Sequence, residues 1–412
     1  MNAAGGAPAL RGLASLLVVA ALPAAVIESS LGGAAFYLLA LLGLGLALRD
    51  PAGALARLRA MPELAIAALL LAGLNLSSVL AFGLPARAFS WTPLLLMPLL
   101  ALVAGHGLVG PRALFAGGAL GAAAALGVSV VDLLAIGQER PTGTLNAIVF
   151  GQISVLCAMY ALAGLLRDPG RLRSLAYLAA VGAGIAATVA SGTRGALLAL
   201  PLLAALAWRA PALAGAAHPP PGGGHRRALV AVALCLSLGV AALGHRLELW
   251  NRLTLIDDEV AAYQEGEVGA RSVALRLAMW RATLDIVAEH PLFGAGAHRF
   301  KPEVERLQAQ GRYPADAVVY SHPHSLPMSI LAQYGAIGLA VAALAAWLAW
   351  RGLARSPPAL RRVGRVSLAM WLVLGLTNDV FAHQNTLRVL AFGLALCAAM
   401  REHRPARPGL PA

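Results

Sequence analysis

Three short stretches of this sequence carry side chains whose types and spacing could form one site. Ser191-Gly192-Thr193-Arg194-Gly195 falls where one apolar run ends and the next begins almost at once, so Arg194 stands at the mouth of a tight helical hairpin. An arginine within reach of a bilayer is a functional candidate by default, although the position also suits an interfacial anchor. The flanking glycines let a ligand approach the backbone closely. Ser321-His322-Pro323-His324-Ser325-Leu326 precedes a long apolar run that contains Gln333-Tyr334-Gly335-Ala336-Ile337-Gly338. Histidine titrates near neutral pH, which makes His322 and His324 candidates for a general base. A metal at His-Pro-His is the weaker reading, because no carboxylate or cysteine stands at ligand spacing.

Between these two stretches, Arg271 to His290 reads as an amphipathic helix. Val273, Leu277, Trp280, Leu284 and Val287 recur at three- and four-residue steps and predict one apolar stripe. Pro291 stops the helix. Arg276 lies beside the stripe, at the edge of the expected buried face, where it could also snorkel from a membrane surface. Arg271 and Arg281 suit a solvated face. Two arginines with a histidine suit a phosphate-bearing anion and a proton acceptor, since the guanidinium fork binds phosphate bidentately and keeps its charge. The acids Asp257, Asp258, Glu259, Glu265 and Glu267 raise the alternative of a paired-carboxylate glycosidase. Clustered acids beside glycine without apolar periodicity more often form a solvated loop. Cys157, Cys235 and Cys397 each lie in an apolar run and match no metal or disulfide spacing.

The elements that must position these groups are membrane helices. The 412 residues are 59% hydrophobic and only 12% charged, about half the charge of a soluble domain. Runs long enough to cross a bilayer lie near 9–27, 30–48, 63–83, 91–107, 113–136, 146–166, 174–191, 194–209, 228–245, 325–350, 365–382 and 386–400. The segment near 9–27 resembles a signal peptide but fits the topology only if it stays as a helix. Dense glycine and alanine let the helices approach closely. The net charge of +13 is almost all arginine. The arginines concentrate in alternate short loops, around 49–59, 112, 167–173, 209–227, 351–365 and 401–407, while 84–90 and 137–145 hold only Arg87 and Arg140. The positive-inside rule puts the arginine-rich set, and both termini, in the cytoplasm. The basic balance therefore sets topology; no nucleic-acid motif accompanies it. The expected organisation is all-α and polytopic, with about twelve transmembrane helices. Residues 1–245 hold spans one to nine, 246–324 form one large periplasmic loop, and 325–412 hold the last three spans and a cytoplasmic tail. Segment 210–227, with its Pro-Gly run, becomes a cytoplasmic linker. The loop arginines, among them Arg252, Arg271, Arg276, Arg281, Arg299 and Arg312, need an explanation other than topology. All three chemically capable stretches fall on the same membrane face.

At these stretches the sequence resembles the O-antigen ligase family, within the superfamily that also holds O-antigen polymerases and protein O-oligosaccharyltransferases. Ser-Gly-Thr-Arg-Gly resembles the family's arginine at the periplasmic end of a helix pair. Arg276-Leu-Ala-Met-Trp280 and His290-Pro-Leu-Phe-Gly-Ala-Gly296 resemble its Arg-x-x-x-Trp and Pro-Leu-x-Gly-x-Gly stretch. His324-Ser325, nine residues and then Gly335 match its histidine-to-glycine spacing. Pro323 and Pro327 around the histidine are departures.

The resemblance implies a membrane C-type glycosyltransferase fold in the bacterial inner membrane, with the active site facing the periplasm. It also implies metal- and cofactor-independent inverting transfer of a glycan from undecaprenyl pyrophosphate to a sugar hydroxyl of lipid A–core. Arg194 and Arg276 would clamp the pyrophosphate and His324 would take the acceptor proton. Arg271, His322 and Trp280 complete the expected binding set. Membrane lipids are the remaining partner. O-antigen polymerase or protein O-oligosaccharyltransferase activity is the alternative within the superfamily; the oligosaccharyltransferases tend to carry an extra soluble portion that this sequence does not show. A lipid or polysaccharide transporter is the alternative outside it. Transport predicts midplane charges and an internal repeat; Asp132 is the one midplane candidate, Asp379 lies near a mouth, and no repeat is evident.

Overall fold

The computed structural model describes residues 3–167, 170–208, 258–261, 263–265, 268 and 272–400. The expected span 228–245, the linker 210–227, Cys235, Arg252, Asp257, Glu267 and Arg271 lie outside them. Among the described residues the fold is all-helical. The first half comprises α1 (Ala3–Ile27), α2 (Ser29–Arg49), α3 (Pro51–Arg59), α4 (Pro62–Ala81), α5 (Thr92–Leu95), α6 (Met97–Gly105), α7 (Pro111–Val130) and α8 (Ala147–Leu165). Then come α9 (Arg171–Ala190), α10 (Arg194–Leu197), α11 (Leu200–Trp208), α12 (Ser272–Glu289), α13 (Phe300–Ala309), α14 (Leu326–Gly352), α15 (Pro358–Thr377) and α16 (Gln384–Ala399).

Eleven of the twelve expected apolar runs coincide with these helices. Among the described residues, seven helices are long and apolar enough to cross a membrane, and Thr92–Gly105, Arg194–Ala207 and Gln384–Ala399 are shorter apolar segments. The run expected at 365–382 ends earlier, because α15 stops at Thr377 and Asn378 takes an extended conformation (φ −152°). Residues 378–383 are therefore available as a polar turn rather than a span.

α8 is the axis of the bundle. Nearly all its residues are buried, and α1, α7, α9, α15 and α16 pack around it. Small residues permit this: a Cβ on Gly184 would sit 3.0 Å from the Ser154 carbonyl of α8. Cys157 and Cys397 are buried free thiols in this packing. The interhelical loops segregate to two ends. At one end Ser29 N–H donates to Thr144 Oγ1 (3.2 Å), His298 Nε2 meets Ala88 O (2.8 Å), and the Gln384 amide donates to Ser90 O. At the other, Arg355 pairs with Glu63 and Arg362 donates to Ala205 O (2.9 Å).

The described part of the long connection has its own small core, in which Leu275, Met279 and Ile286 of α12 meet Phe300, Val304 and Leu307 of α13. The buried face of α12 differs from the predicted stripe. Ala274, Leu275, Ala278, Met279, Ala282 and Ile286 are buried, while Leu284 is 52% exposed and Val273, Leu277, Trp280 and Val287 are only partly covered. The expected stripe followed the largest apolar side chains. The packing instead uses alanines at four-residue steps, which let α12 lie close to its neighbours. The loop arginines acquire partners here: Arg312 pairs with Glu289 and Asp285, Arg306 with Glu289 and Glu303, and Arg299 with Glu303.

One feature joins this small domain to the membrane bundle. α14 is broken at Gly335, whose backbone (φ 64°, ψ −161°) is open essentially to glycine alone. The break frees backbone groups on both sides, and residues 291–296 fill it. Ala295 N–H donates to Ala332 O (2.8 Å) and Gly296 N–H to Gln333 O (3.0 Å). In return Ala336 N–H donates to Pro291 O (2.9 Å) and Ile337 N–H to Leu292 O (3.2 Å). Each such group left buried and unpaired would cost about 1–3 kcal/mol. The contact is backbone against backbone: a Cβ on Gly335 would lie 2.4 Å from Leu292 C, and one on Gly294 2.4 Å from Tyr334 N.

Gly335→Ala and Gly294→Ala should therefore loosen the connection from α14, each paying on the order of 1–3 kcal/mol in backbone strain alone. Limited proteolysis of the detergent-solubilised protein should cut within 290–324 faster in both. Gly73→Ala, whose Cβ meets nothing within 4 Å, should be cut like the parent. Equal cleavage of all three variants would show that the insertion does not hold the loop.

Candidate active site

The hairpin that carries Arg194 is built by short-range capping. α9 ends at Ala190, and Ser191 Oγ donates to Thr188 O (2.7 Å) while accepting from Thr193 N–H (3.2 Å). Gly192 (φ 62°) makes the turn, and Thr193 Oγ1 donates to Ala147 O at the start of α8 (2.9 Å). Arg194 is then the first residue of α10. A second arginine braces the turn: Arg140 Nε donates to Ser191 O (2.7 Å) and its Nη2 to Thr193 Oγ1 (3.3 Å). The loop bearing Arg140 is pinned by Asp132, whose Oδ2 accepts from Thr142 and Gly143 N–H (2.8 Å each). The midplane candidate Asp132 is thus a loop anchor.

Arg276 reaches the same place from α12. The N-terminus of that helix is held by Glu259, which accepts from Val273 N–H. Burial disfavours the Arg276 charge first, Arg194 adds repulsion, and Glu259 offsets part of both. His324 arrives from the segment ahead of α14 in the left-handed conformation (φ 51°). Trp280, on the same helix as Arg276, donates from Nε1 to Pro323 O (3.1 Å) and so ties the histidine segment to α12.

These groups meet. Arg140, Arg194, Arg276, Tyr320, His324 and Thr377 all line one cavity of about 300 Å³. No carboxylate is among its described lining residues. Guanidinium groups converging on a partly buried cavity, where Glu259 offsets only part of the penalty on the Arg276 charge, suit an anion with several oxygens. His324 is pushed down to about 4, chiefly by burial, then by His322 and Arg276, with Asn378 acting in the opposite sense. It is accordingly a neutral ring at neutral pH and can accept a proton. His324 Nδ1 and Asn378 Oδ1 are both buried and otherwise unpaired. Pairing them would hold Nδ1 as N–H and leave Nε2 as the basic nitrogen. Asn378 in turn donates to Gln152 Oε1 of α8 (3.4 Å), which ties the histidine to the bundle axis.

The other expected site residues separate. Trp280 does not line this cavity; its indole holds the Pro323 carbonyl. His322 faces a different cavity, although its ring is 4.4 Å from that of His324. Arg271 lies outside the described residues. Arg140, Asn378 and Gln152 escaped the sequence reading. Asn378 had one local signal, the polar Thr377-Asn378-Asp379 triplet inside an apolar run; Arg140 looked like a loop charge. The fold also assembles Glu289, His290 and Glu303 at metal-ligand separation, within 4.8 Å, which sequence spacing did not predict. Both acids are already neutralised by Arg306, and Glu289 by Arg312 as well. Of the loop acids, Glu259 is a helix cap and Asp258 is exposed; neither lines the cavity.

The family model described as O-antigen ligase matches residues 177–343. That segment contains Arg194, Arg276, Trp280, His324 and Gly335, and the match supports membership of that family. No curated protein matches the chain.

If the arginines bind an anion through their fork geometry, Arg194→Ala and Arg276→Ala should each lower turnover about 10²–10³-fold, the usual loss for removing one charge-stabilising donor. Arg→Lys should recover only a small part of this. Near-parental turnover of both lysine variants would reduce the arginines to anchors. The low proton affinity of His324 has its own consequence. A group whose protonation is disfavoured stays neutral as pH falls through 6.5 and is lost only near 4. The kcat/KM profile, which reports the free enzyme, should show its acid limb near pH 4, and a limb centred at 6–7 would contradict this assignment.

Proposed function

We propose that this chain, a membrane protein whose residues 177–343 match the O-antigen ligase family, is an O-antigen ligase. It transfers a polysaccharide from undecaprenyl pyrophosphate to a sugar hydroxyl of lipid A–core, at the periplasmic face of the bacterial inner membrane. One observation carries the reading: Arg194, Arg276 and His324, from three separate segments, line one cavity with no acid among its described lining residues. Such a cavity offers charge for a leaving pyrophosphate and a base for an incoming hydroxyl. The segregation of the arginine-rich loops to the opposite end of the bundle supports the periplasmic orientation. A groove of about 260 Å³ lined wholly by apolar side chains, including Leu326, Trp371 and Phe381, supports a lipid-borne substrate.

The chemistry follows from these groups. The acceptor oxygen attacks the anomeric carbon from the side opposite the pyrophosphate. The carbon–oxygen bond to phosphate breaks, and the lipid pyrophosphate leaves with the electron pair, its charge held between Arg194 and Arg276. The hydroxyl proton passes to His324. A single displacement of this kind inverts the anomeric centre. Arginine supplies the neutralisation, so no metal is required for the leaving group.

Reconstitution with purified undecaprenyl-linked glycan and lipid A–core tests the proposal, with the joined product as readout. His324→Ala should lose about 10²–10⁴ in turnover, the worth of one positioned base, while retaining donor binding. His322→Ala should be milder. A longer lipid-linked glycan formed without any core acceptor would identify a polymerase instead. Loss of donor binding in His324→Ala would make the histidine a phosphate ligand.

A further inference from the structure

His322 lines a second cavity, of about 100 Å³, whose chemistry is the complement of the first. The rings of His322 and His324 stand 4.4 Å apart, so the two cavities come close to each other at this pair of imidazoles. No arginine or lysine is among the described lining residues of this second space, and Asp379, whose carboxyl burial pushes above its ordinary value, is. An anionic ligand is therefore disfavoured and a neutral polyol favoured. Asp379 accepts from Ser329 Oγ, Phe381 N–H (2.9 Å) and Ala382 N–H (3.2 Å). A carboxylate offers about four lone-pair sites, so one acceptor position stays open. His322 Nδ1 accepts from the His324 backbone N–H (3.3 Å), which leaves its Nε2 to carry the proton and act as a donor. Trp91, edge-on to Phe381 at 4.8 Å, adds an aromatic wall against which the C–H face of a sugar can lie. By the space one water needs, the cavity holds roughly half a dozen waters, about the hydroxylated edge of one sugar residue.

We infer that this second cavity is the acceptor subsite, resting on the transfer reaction proposed above. It receives one neutral sugar of the acceptor glycan, with Asp379 accepting from and His322 donating to its hydroxyls. The nucleophilic hydroxyl is presented at the histidine pair. Its proton goes to His324, its oxygen bonds to the anomeric carbon, and the pyrophosphate departs with the electron pair into the arginine cavity. Donor and acceptor are thus sorted by charge: the anion to the arginines, the neutral polyol to the acid and amide side.

Ser321 and Ala382 line the second cavity, are exposed, and are absent from the walls of the first. Ser321→Trp and Ala382→Trp would fill its mouth without touching Arg194, Arg276 or His324. The full-length protein in detergent is assayed for binding of lipid-free core oligosaccharide and, separately, of undecaprenyl pyrophosphate. Oligosaccharide affinity should fall at least tenfold in each variant, with undecaprenyl pyrophosphate affinity within twofold of the parent. In the transfer assay the acceptor KM should rise by the same factor. Unchanged oligosaccharide binding in both variants overturns the subsite, and so does a parallel loss of undecaprenyl pyrophosphate binding, which would assign the cavity to the donor. If the parent transfers nothing, the ligase reading fails while the binding arm still decides the subsite.

Discussion

The break of α14 at Gly335 is the constraint from which the geometry of this protein follows. A helix in apolar surroundings that gives up backbone hydrogen bonds must find replacements. Here they come from residues 291–296, which close α12 and lead to α13. The same insertion therefore fixes the helix carrying Arg276 against the helix that His324 precedes. The placement of Arg276 relative to His324 is set by main-chain hydrogen bonds between two rigid elements, with the Trp280 to Pro323 contact as a second tie. Further hydrogen bonds spread the anchorage: Ala297 N–H donates to Ser78 Oγ (2.7 Å) on α4, and Asn75 Nδ2 of that helix donates to Tyr334 Oη (2.8 Å) beside the break.

Identical side chains acquire different roles from their electrostatic surroundings. Arg299, Arg306 and Arg312 face carboxylates and hold the small domain together at its surface. Arg194 and Arg276 line one cavity with no acid among its described lining residues, and Arg194 disfavours the charge on Arg276 there. The histidines divide in the same way. Burial keeps His322 and His324 neutral, each pushed to about 4, but one turns to the arginines and the other to Asp379. The proposed transfer, which would separate a pyrophosphate from a sugar, would use two such environments side by side, with the adjacent imidazoles between them.

Asn378, Gln152 and Arg140 support these groups. Asn378 and Gln152 are fully buried polar side chains, tolerable in a membrane bundle only because each meets another polar group. Through them His324 is tied to α8, a helix buried along nearly all its length. Arg140 stiffens the Ser191–Thr193 turn, so the position of Arg194 depends on a loop fifty residues earlier in the chain.

The sequence alone determined the membrane class, most of the helix positions, the alternation of arginine-rich loops and the three stretches that hold Arg194, Arg276 and His324. These are local properties: hydropathy reports which solvent a segment prefers, and a capped hairpin or a Pro-stopped helix is written within a few residues. Tertiary structure decided which face of α12 is buried, that 378–383 is a polar turn at the site, that Asp132 and Asp379 anchor loops, and that Trp280 supports Pro323 rather than lining the arginine cavity. It also decided that His322 and His324, two residues apart, open into different cavities. Hydropathy cannot make these choices, because in a bilayer an apolar face is at ease against either lipid or protein. The selection is made by close packing of small residues and by the pairing of buried polar groups, and both depend on partners far away in the chain.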